Sequence, residues 1–284
     1  MMKNLILFIF LFIGLGAVAQ KQNSYTNKII LKLGQKINVI TTNTSDADLG
    51  MSMQMKNNSI NANTITVTGE NEVDFKLINT LTKLKLSIEA MGQSQNFDSE
   101  KEEDKNSEIG KALSETIGKS INVNVNKLSG NPTFEIKDAG PEKPESNPLE
   151  GLMSSFGSED PSISGAFLLV PASTKIGGSW TVKDSTNEKK SVKTYTINNI
   201  VNNLASISFL SEINSNNIVE MSGTQMEMAI RTNSTGTLIT NLKSGLVSER
   251  SVLSDISGTM NVQGQSMPIT AKTNLVSHYT LIGN

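Results

Sequence analysis

Residues 72–90, EVDFKLINTLTKLKLSIEA, decide the fold class. Val73, Phe75 and Leu77 fall at every second position, and so do Leu84, Leu86 and Ile88. Successive side chains of a strand point to opposite faces, so this period of two predicts strands with one apolar face. The pattern continues upstream. KIILKLGQKINVITT (28–42) reads as two strands around a Gly34-Gln35 turn. SINANTITVTGEN (59–71) changes phase between Ala62 and Ile65, which predicts a bulge or bend, and then turns at Gly69-Glu70-Asn71. Downstream, INVNVN (121–126), SWTVKDS (179–185), VKTYTINN (192–199) and ASISFLSEI (205–213) are further strands. The C-terminal stretch alternates again, broken at KSG (243–245) and VQGQ (262–265). Threonine, asparagine and serine fill the outward positions, as in an antiparallel sheet with one wet face. The expectation is an all-β protein with two minor helices. Its long antiparallel strands curve into one half-barrel-like sheet or form two similar β halves.

Two stretches have helical spacing instead. SEIGKALSETIGKS (107–120) places Ile109, Ala112, Leu113 and Ile117 on one face, with Ser107 as N-cap and Gly118 as stop, so a helix is expected over 107–118. NPLEGLMSSFG (147–157) offers Leu149, Leu152, Met153 and Phe156 after Pro148, predicting a helix over 148–156. Between them KDAGPEKPESNP (137–148) is a charged, proline-rich connector. The chain then divides into a leader (1–19), an N-terminal β half (20–138), a linker with the short helix (139–163) and a C-terminal β half (164–284). Short matches cross that connector. KLGQKINVITTNT (32–44) parallels KIGGSWTVKDST (175–186), VNKLSG (125–130) parallels ITNLKSG (239–245), and FKLINTLTKLKLSI (75–88) parallels YTINNIVNNLASIS (195–208). They fit either a degenerate duplication or the turns that any two hairpin-rich segments share.

The first residues, MMKNLILFIFLFIGLGAVAQKQ, combine Lys3, an apolar run from Leu5 to Leu15 and the small-residue box Ala17-Val18-Ala19. That is the pattern of a secretory signal cleaved after Ala19, and its apolar core is short for a membrane span. No cysteine follows it, so a lipoprotein is not expected; the expected location is periplasmic or secreted. No later segment has the roughly 18 apolar residues of a membrane helix. Losing Lys3 moves the net charge from −2 to −3, too mild to predict a nucleic-acid partner. Zero cysteines exclude thiol catalysis, dithiol redox chemistry and thiolate metal sites.

Few motifs hint at chemistry. Gly118-Lys119-Ser120 ends like a phosphate-binding loop, but position 113 is leucine where that pattern requires glycine, and the glycine ends a helix. His278 is the sole histidine and reads as a strand residue. NFDSEKEEDKNSE (96–108) clusters acids without the D-x-D-x-D-G rhythm of a calcium loop and reads as a solvated approach to the following helix. DLGMSMQMKNN (48–58) places Met51, Met53 and Met55 on one strand face, and TQMEMAI adds Met226 and Met228. Alternate thioethers stand some 6.5–7 Å apart along a strand. The five methionines are therefore taken as an adaptable apolar ligand-binding face, with soft Cu(I) ligation as the alternative. Nothing calls for a cofactor.

FDSEKEEDKN, KALSETIGKSINVNVN and LLVPASTKIGGSWTV together resemble an uncharacterised family of secreted bacterial proteins. The resemblance rests on Phe97, Asp98, Ser99, Gly118, Lys119, Pro171, Gly177, Ser179 and Trp180, with Gly178 where the pattern has an acidic residue. It implies no activity. At the level of fold the chain is similar to the half-barrel sheets of envelope lipid and lipoprotein carriers. The functional expectation is an exported, non-catalytic envelope protein that binds an apolar or amphipathic ligand, such as a lipid, or an envelope protein partner. A hydrolase whose site is assembled only in three dimensions is the competing class.

Overall fold

The computed structural model describes residues 25–50, 53–90, 92–107, 110–111, 113, 116–134, 161–186, 188–221, 224–262 and 264–283. The leader and the expected helix over 148–156 lie outside them. Twelve strands form one antiparallel sheet: β1 (Lys36–Asp48), β2 (Gln54–Glu70), β3 (Asp74–Ala90), β4 (Gln93–Asp98), β5 (Ser120–Asn126), β6 (Pro132–Phe134), β7 (Ser179–Ser185), β8 (Lys189–Val201), β9 (Leu204–Met221), β10 (Thr224–Asn241), β11 (Val247–Val262) and β12 (Gln265–Ile282). Two four-residue helices can be bounded among the described residues, α1 (Glu102–Lys105) and α2 (Pro161–Ser164), and residues 110, 111 and 113 are helical as well. The spatial order is β6-β5-β3-β2-β1-β12-β11-β10-β9-β8-β7, with β4 also on β3, and the sheet does not close.

Two consecutive residues show how strongly the sheet curls. The Ile29 N–H donates to the Lys127 carbonyl, beyond β5, while the Ile30 N–H donates to the Ser244 carbonyl, beyond β10. Those turns belong to strands six steps apart in the sheet, which laid flat would separate them by ~29 Å at ~4.8 Å per step. One dipeptide bridges both, so the arms are drawn together at this end. The sheet wraps a plug made of residues 25–33 and of α2 with the chain after it. Ile29, Leu31, Ile163, Ala166, Phe167 and Val170 pack there against Ile37, Val39, Ile65, Leu77, Val125, Ile197 and Ile207 in the main core. Asn79 Nδ2 reaches Ser162 Oγ at 2.9 Å and ties the helix to β3.

The plug corrects one expectation. Residues 28–32 alternate exposed and buried like a strand, yet they pair with no ladder and serve as a strap across the core. The Gly34 turn itself is present, at φ +78°. The bulge expected near Ala62–Ile65 also occurs, as a register shift between Ala62 and Asn63, but the extra residue is Thr82 of β3. β2 keeps its phase, so Ile60 faces outward and the polar residues around it face in. Ser107 does cap a helical turn: its Oγ accepts the Gly110 N–H at 3.0 Å. Gly118 ends the stretch at φ +80°, and Leu113 and Ile117 pack on β3 and β4. Ile109 and Ala112 lie outside the described residues.

The two arms repeat each other. Gly34 donates to Val67 at 2.9 Å, and Gly177 donates to Ile197 at 2.7 Å. A register shift follows Val67 on one side and Ile197 on the other. In the turn after β5, Gly130 donates to the Asn126 carbonyl and Leu128 N–H to Asn126 Oδ1. After β10, Gly245 and Lys243 do the same to Asn241. Two of the three sequence matches therefore occupy equivalent places. The third does not, because Asp74 is equivalent to Leu204, which puts Phe75 opposite Ala205 rather than Tyr195.

Candidate functional site

Every ladder is antiparallel and in register over long stretches, so side chains on the plug-facing side line up in transverse rows across the sheet. Away from the plug the first rows remain partly apolar, with Phe209, Tyr195 and Trp180 on β9, β8 and β7. Trp180 stacks on Tyr195 at 5.1 Å between ring centroids, and Arg250 lies over the Phe209 ring. The next row is polar on seven adjacent strands: Asn57, Ser45, Thr273, Ser254, Ser234, Ser211 and Lys193. Farther along, the row through Ala47, Ala271 and Ile256 restores apolar lining.

Six residues beyond Thr273, or ~20 Å along the strand, stands a row of sulfur. Met267, Met260 and Met228 are directly paired on β12, β11 and β10. They form a second buried cluster with Met226, Ile230, Ile256, Ile269 and Leu49, separate from the main core. Met53 packs against it, partly buried. Met55 belongs instead to a third cluster with Leu84, Leu86, Ile88 and Phe97, and Met51 lies outside the described residues. The structure thus brings together Met53, Met226 and Met228 of the five methionines singled out in sequence, and adds Met260 and Met267. Those two were marked only by alternation in TMNV and QSMPIT; which strands lie beside each other is not written locally.

The polar row carries an electrostatic anomaly. Ser234 and Ser254 share a hydrogen bond at 2.8 Å, and two rows nearer the plug Thr41 and Ser277 share one at 3.0 Å. Asn57 Oδ1, Asn61 Oδ1 and Ser211 Oγ are buried with no hydrogen-bond partner. A buried acceptor left unsatisfied costs about 1–3 kcal/mol. Asn57 and Ser211 stand on the polar row, on β2 and β9, and Asn61 stands two rows nearer the plug on β2, so this face carries acceptors that packing alone does not satisfy. A surface cleft of about 510 Å³ opens where β8 ends and β9 runs on; Lys189, Ser215, Ile230 and Gly258 line it from the plug-facing side. Ile230 is the one member of the methionine cluster in its lining.

Groups with displaced titration lie elsewhere. The Glu100 backbone N–H and the Lys85 ammonium hold the Asp98 carboxyl below its ordinary range, Lys83 does the same for Glu100, and Lys85 is pushed up mainly by Asp98. These exposed pairs pin the corner between β4 and α1, with Asp98 3.0 Å from Lys85. They account for the acidic stretch as a folded corner rather than a loose approach. His278 sits on the outward side of β12, exposed, between Ile40 and Glu249. Among the described residues no three His, Asp or Glu side chains are grouped to hold a metal ion, and no helix is long and apolar enough to cross a membrane.

Residues 135–247 match the model of a family of unknown function (DUF6263). That stretch carries Pro171, Gly177, Ser179 and Trp180 and stops short of the 97–119 signature. No curated protein matches the chain by sequence. Among solved structures it is similar to lipovitellin, in a structure of its lipid–protein interactions, at 6% identity and TM-score 0.49 over 88% of this chain. The chain spans only 25% of the length of that lipovitellin chain. OccK5 (OpdH) of Pseudomonas aeruginosa aligns at 8% identity and TM-score 0.25, over 89% of this chain and 99% of its own. An outer membrane channel from Pseudomonas putida aligns at 9% and 0.20, over 89% and 97%. At these scores the likenesses add nothing to what strand order and register establish.

Proposed function

We propose that this is an exported, non-catalytic envelope protein that holds an apolar or amphipathic ligand along the inner face of its curled sheet. The carrying observation is the methionine cluster of β10, β11 and β12. It is apolar, separate from the plugged core, and borders the surface cleft through Ile230. Unbranched thioether side chains adapt to ligands of irregular shape, which suits a site that takes a flexible chain. Ligand pockets are commonly concave and mostly apolar with a few placed polar groups, and the polar row supplies those groups. The leader at residues 1–19 supports delivery to the envelope.

Native mass spectrometry of protein purified from the envelope fraction tests this reading. A co-purifying lipid-like mass, lost when Met228, Met260 and Met267 are replaced by serine, is the expected result. Protein that carries no ligand, or only a metal ion, overturns it.

A further inference from the structure

We propose that the polar row recognises an uncharged, hydrogen-bond-donating head group on an amphipathic ligand whose apolar chain runs toward the methionine row. The inference rests on the functional reading above and deepens it by naming the chemistry of the head. Its basis is the set of orphaned oxygens. Asn57 is 5% exposed and Ser211 8%, yet Asn57 Oδ1 and Ser211 Oγ have no partner, and neither has Asn61 Oδ1, four residues along β2. A carboxamide oxygen can only accept, so what satisfies Asn57 and Asn61 must donate. Hydroxyl and amide N–H groups donate; a carboxylate or a fully ionised phosphate does not.

The surroundings agree. Ser45, Thr273, Ser254 and Ser234 share the row with Asn57, and no acidic residue stands on it. The cation on the row, Lys193, lies at its far end and already has a partner. Nearer the plug, Arg250 is laid over the Phe209 ring. An anionic head would have to draw Arg250 off the Phe209 ring or Lys193 from its partner, whereas an uncharged head needs neither. Distance fixes the other end of the ligand. The ~20 Å from Thr273 to Met267 is the reach of an extended acyl chain, and each row between is lined in part by Ala, Ile or Met.

Three probes with one tail test the head: monooleoylglycerol with two hydroxyl donors, methyl oleate with none, and oleate with a negative charge. In titration calorimetry the full-length mature protein is expected to bind monooleoylglycerol about tenfold or more tighter than the other two, the worth of one to two neutral hydrogen bonds. The variant Asn57→Leu/Asn61→Leu should bind monooleoylglycerol no better than methyl oleate and leave methyl oleate unchanged. Unliganded, it should melt no lower than wild type, because two orphaned acceptors have been removed. Ser211→Ala, a smaller change, should weaken monooleoylglycerol alone by severalfold. Equal binding of all three probes, or tightest binding of oleate, overturns the assignment of the head while leaving an apolar site in place. Binding of none of them overturns the functional reading as well. A steep fall in the melting temperature of the double leucine variant would show the amides to be structural and would also overturn the proposal.

Discussion

Replacing Gly245 by alanine tests the curled architecture at the place where the strap crosses the second arm. Gly245 has φ +72°, and a Cβ there would lie 2.6 Å from Ile29 Cδ1 and 2.9 Å from Leu169 Cδ2. Gly34 is its control: φ is +78°, but nothing lies within 4 Å of an added Cβ. Both substitutions bear the left-handed penalty of about 1–2 kcal/mol. Gly245→Ala should add the cost of forcing a methyl into a packed core, about 1–3 kcal/mol. Urea unfolding should therefore place Gly34→Ala about 1–2 and Gly245→Ala about 2–5 kcal/mol below wild type at similar m-values. Trimming Ile29 to valine removes the clashing Cδ1 at about 0.5–1.5 kcal/mol by itself. The double variant Ile29→Val/Gly245→Ala should then be more stable than the sum of the single effects predicts. Equal losses for Gly34→Ala and Gly245→Ala, with additive behaviour in the double variant, would refute the account of a strap packed on that turn.

The corner at Asp98 should respond to pH. Its folded-state carboxyl titrates below the ordinary 3.8 and Lys85 above the ordinary 10.5. The stabilisation is therefore present between those values, lost as pH falls through the lowered Asp98 value and lost again as pH rises through the raised Lys85 value. Asp98→Asn should accordingly melt below wild type at pH 7, and the two melting temperatures should converge as pH falls through the lowered Asp98 value. Ile163→Ala, which empties a fully buried position of α2, should cost about 2–5 kcal/mol by urea unfolding; a neutral result would mean the plug does not stabilise the sheet. Replacing Met228, Met260 and Met267 by leucine keeps volume and apolarity, usually at less than about 1.5 kcal/mol per site. With a competing chelator neither form should take up Cu(I); tight uptake by wild type that the triple variant loses would favour thioether ligation over an apolar lining.

The period of two in residues 72–90 was enough to indicate antiparallel sheet, because alternation is a local property of the strand. What local pattern misread was the polar residues in mid-strand. Serine and asparagine at Asn57, Ser59, Asn61 and Ser211 look outward by composition, while Ile60 and Leu210 beside them look inward; the structure has each of them the other way round. Strand phase is set by the ends, where Ile37, Val39, Ile65 and Val67 must meet the plug, and the middle of each strand follows whatever its own residues prefer. The orphaned acceptors were invisible for that reason. The methionine row was half legible: Met226 and Met228 stand together in sequence, but Met260 and Met267 join them only through register.

The likeness between the two arms was faint in sequence for a physical reason, and that reason separates scaffold from site. The residues that match between the arms are those whose backbone role leaves little choice. Gly34, Gly177, Gly130 and Gly245 take positive φ, and Asn126 and Asn241 cap turns with their side-chain oxygen. Strand positions between them need only alternate, so they are free to diverge. All of these shared features sit at the plugged end. At the opposite end the arms part company: β1 runs for 13 residues where its counterpart β7 has 7, and β4 with the Asp98 corner intervenes between β3 and β5, whereas β9 passes directly to β10. The plugged end thus performs the same structural task twice. The methionine row and the cleft occupy the end where the arms differ, and there extending the β7–β8 hairpin along β9 should close the cleft beside Ile230 without disturbing the core.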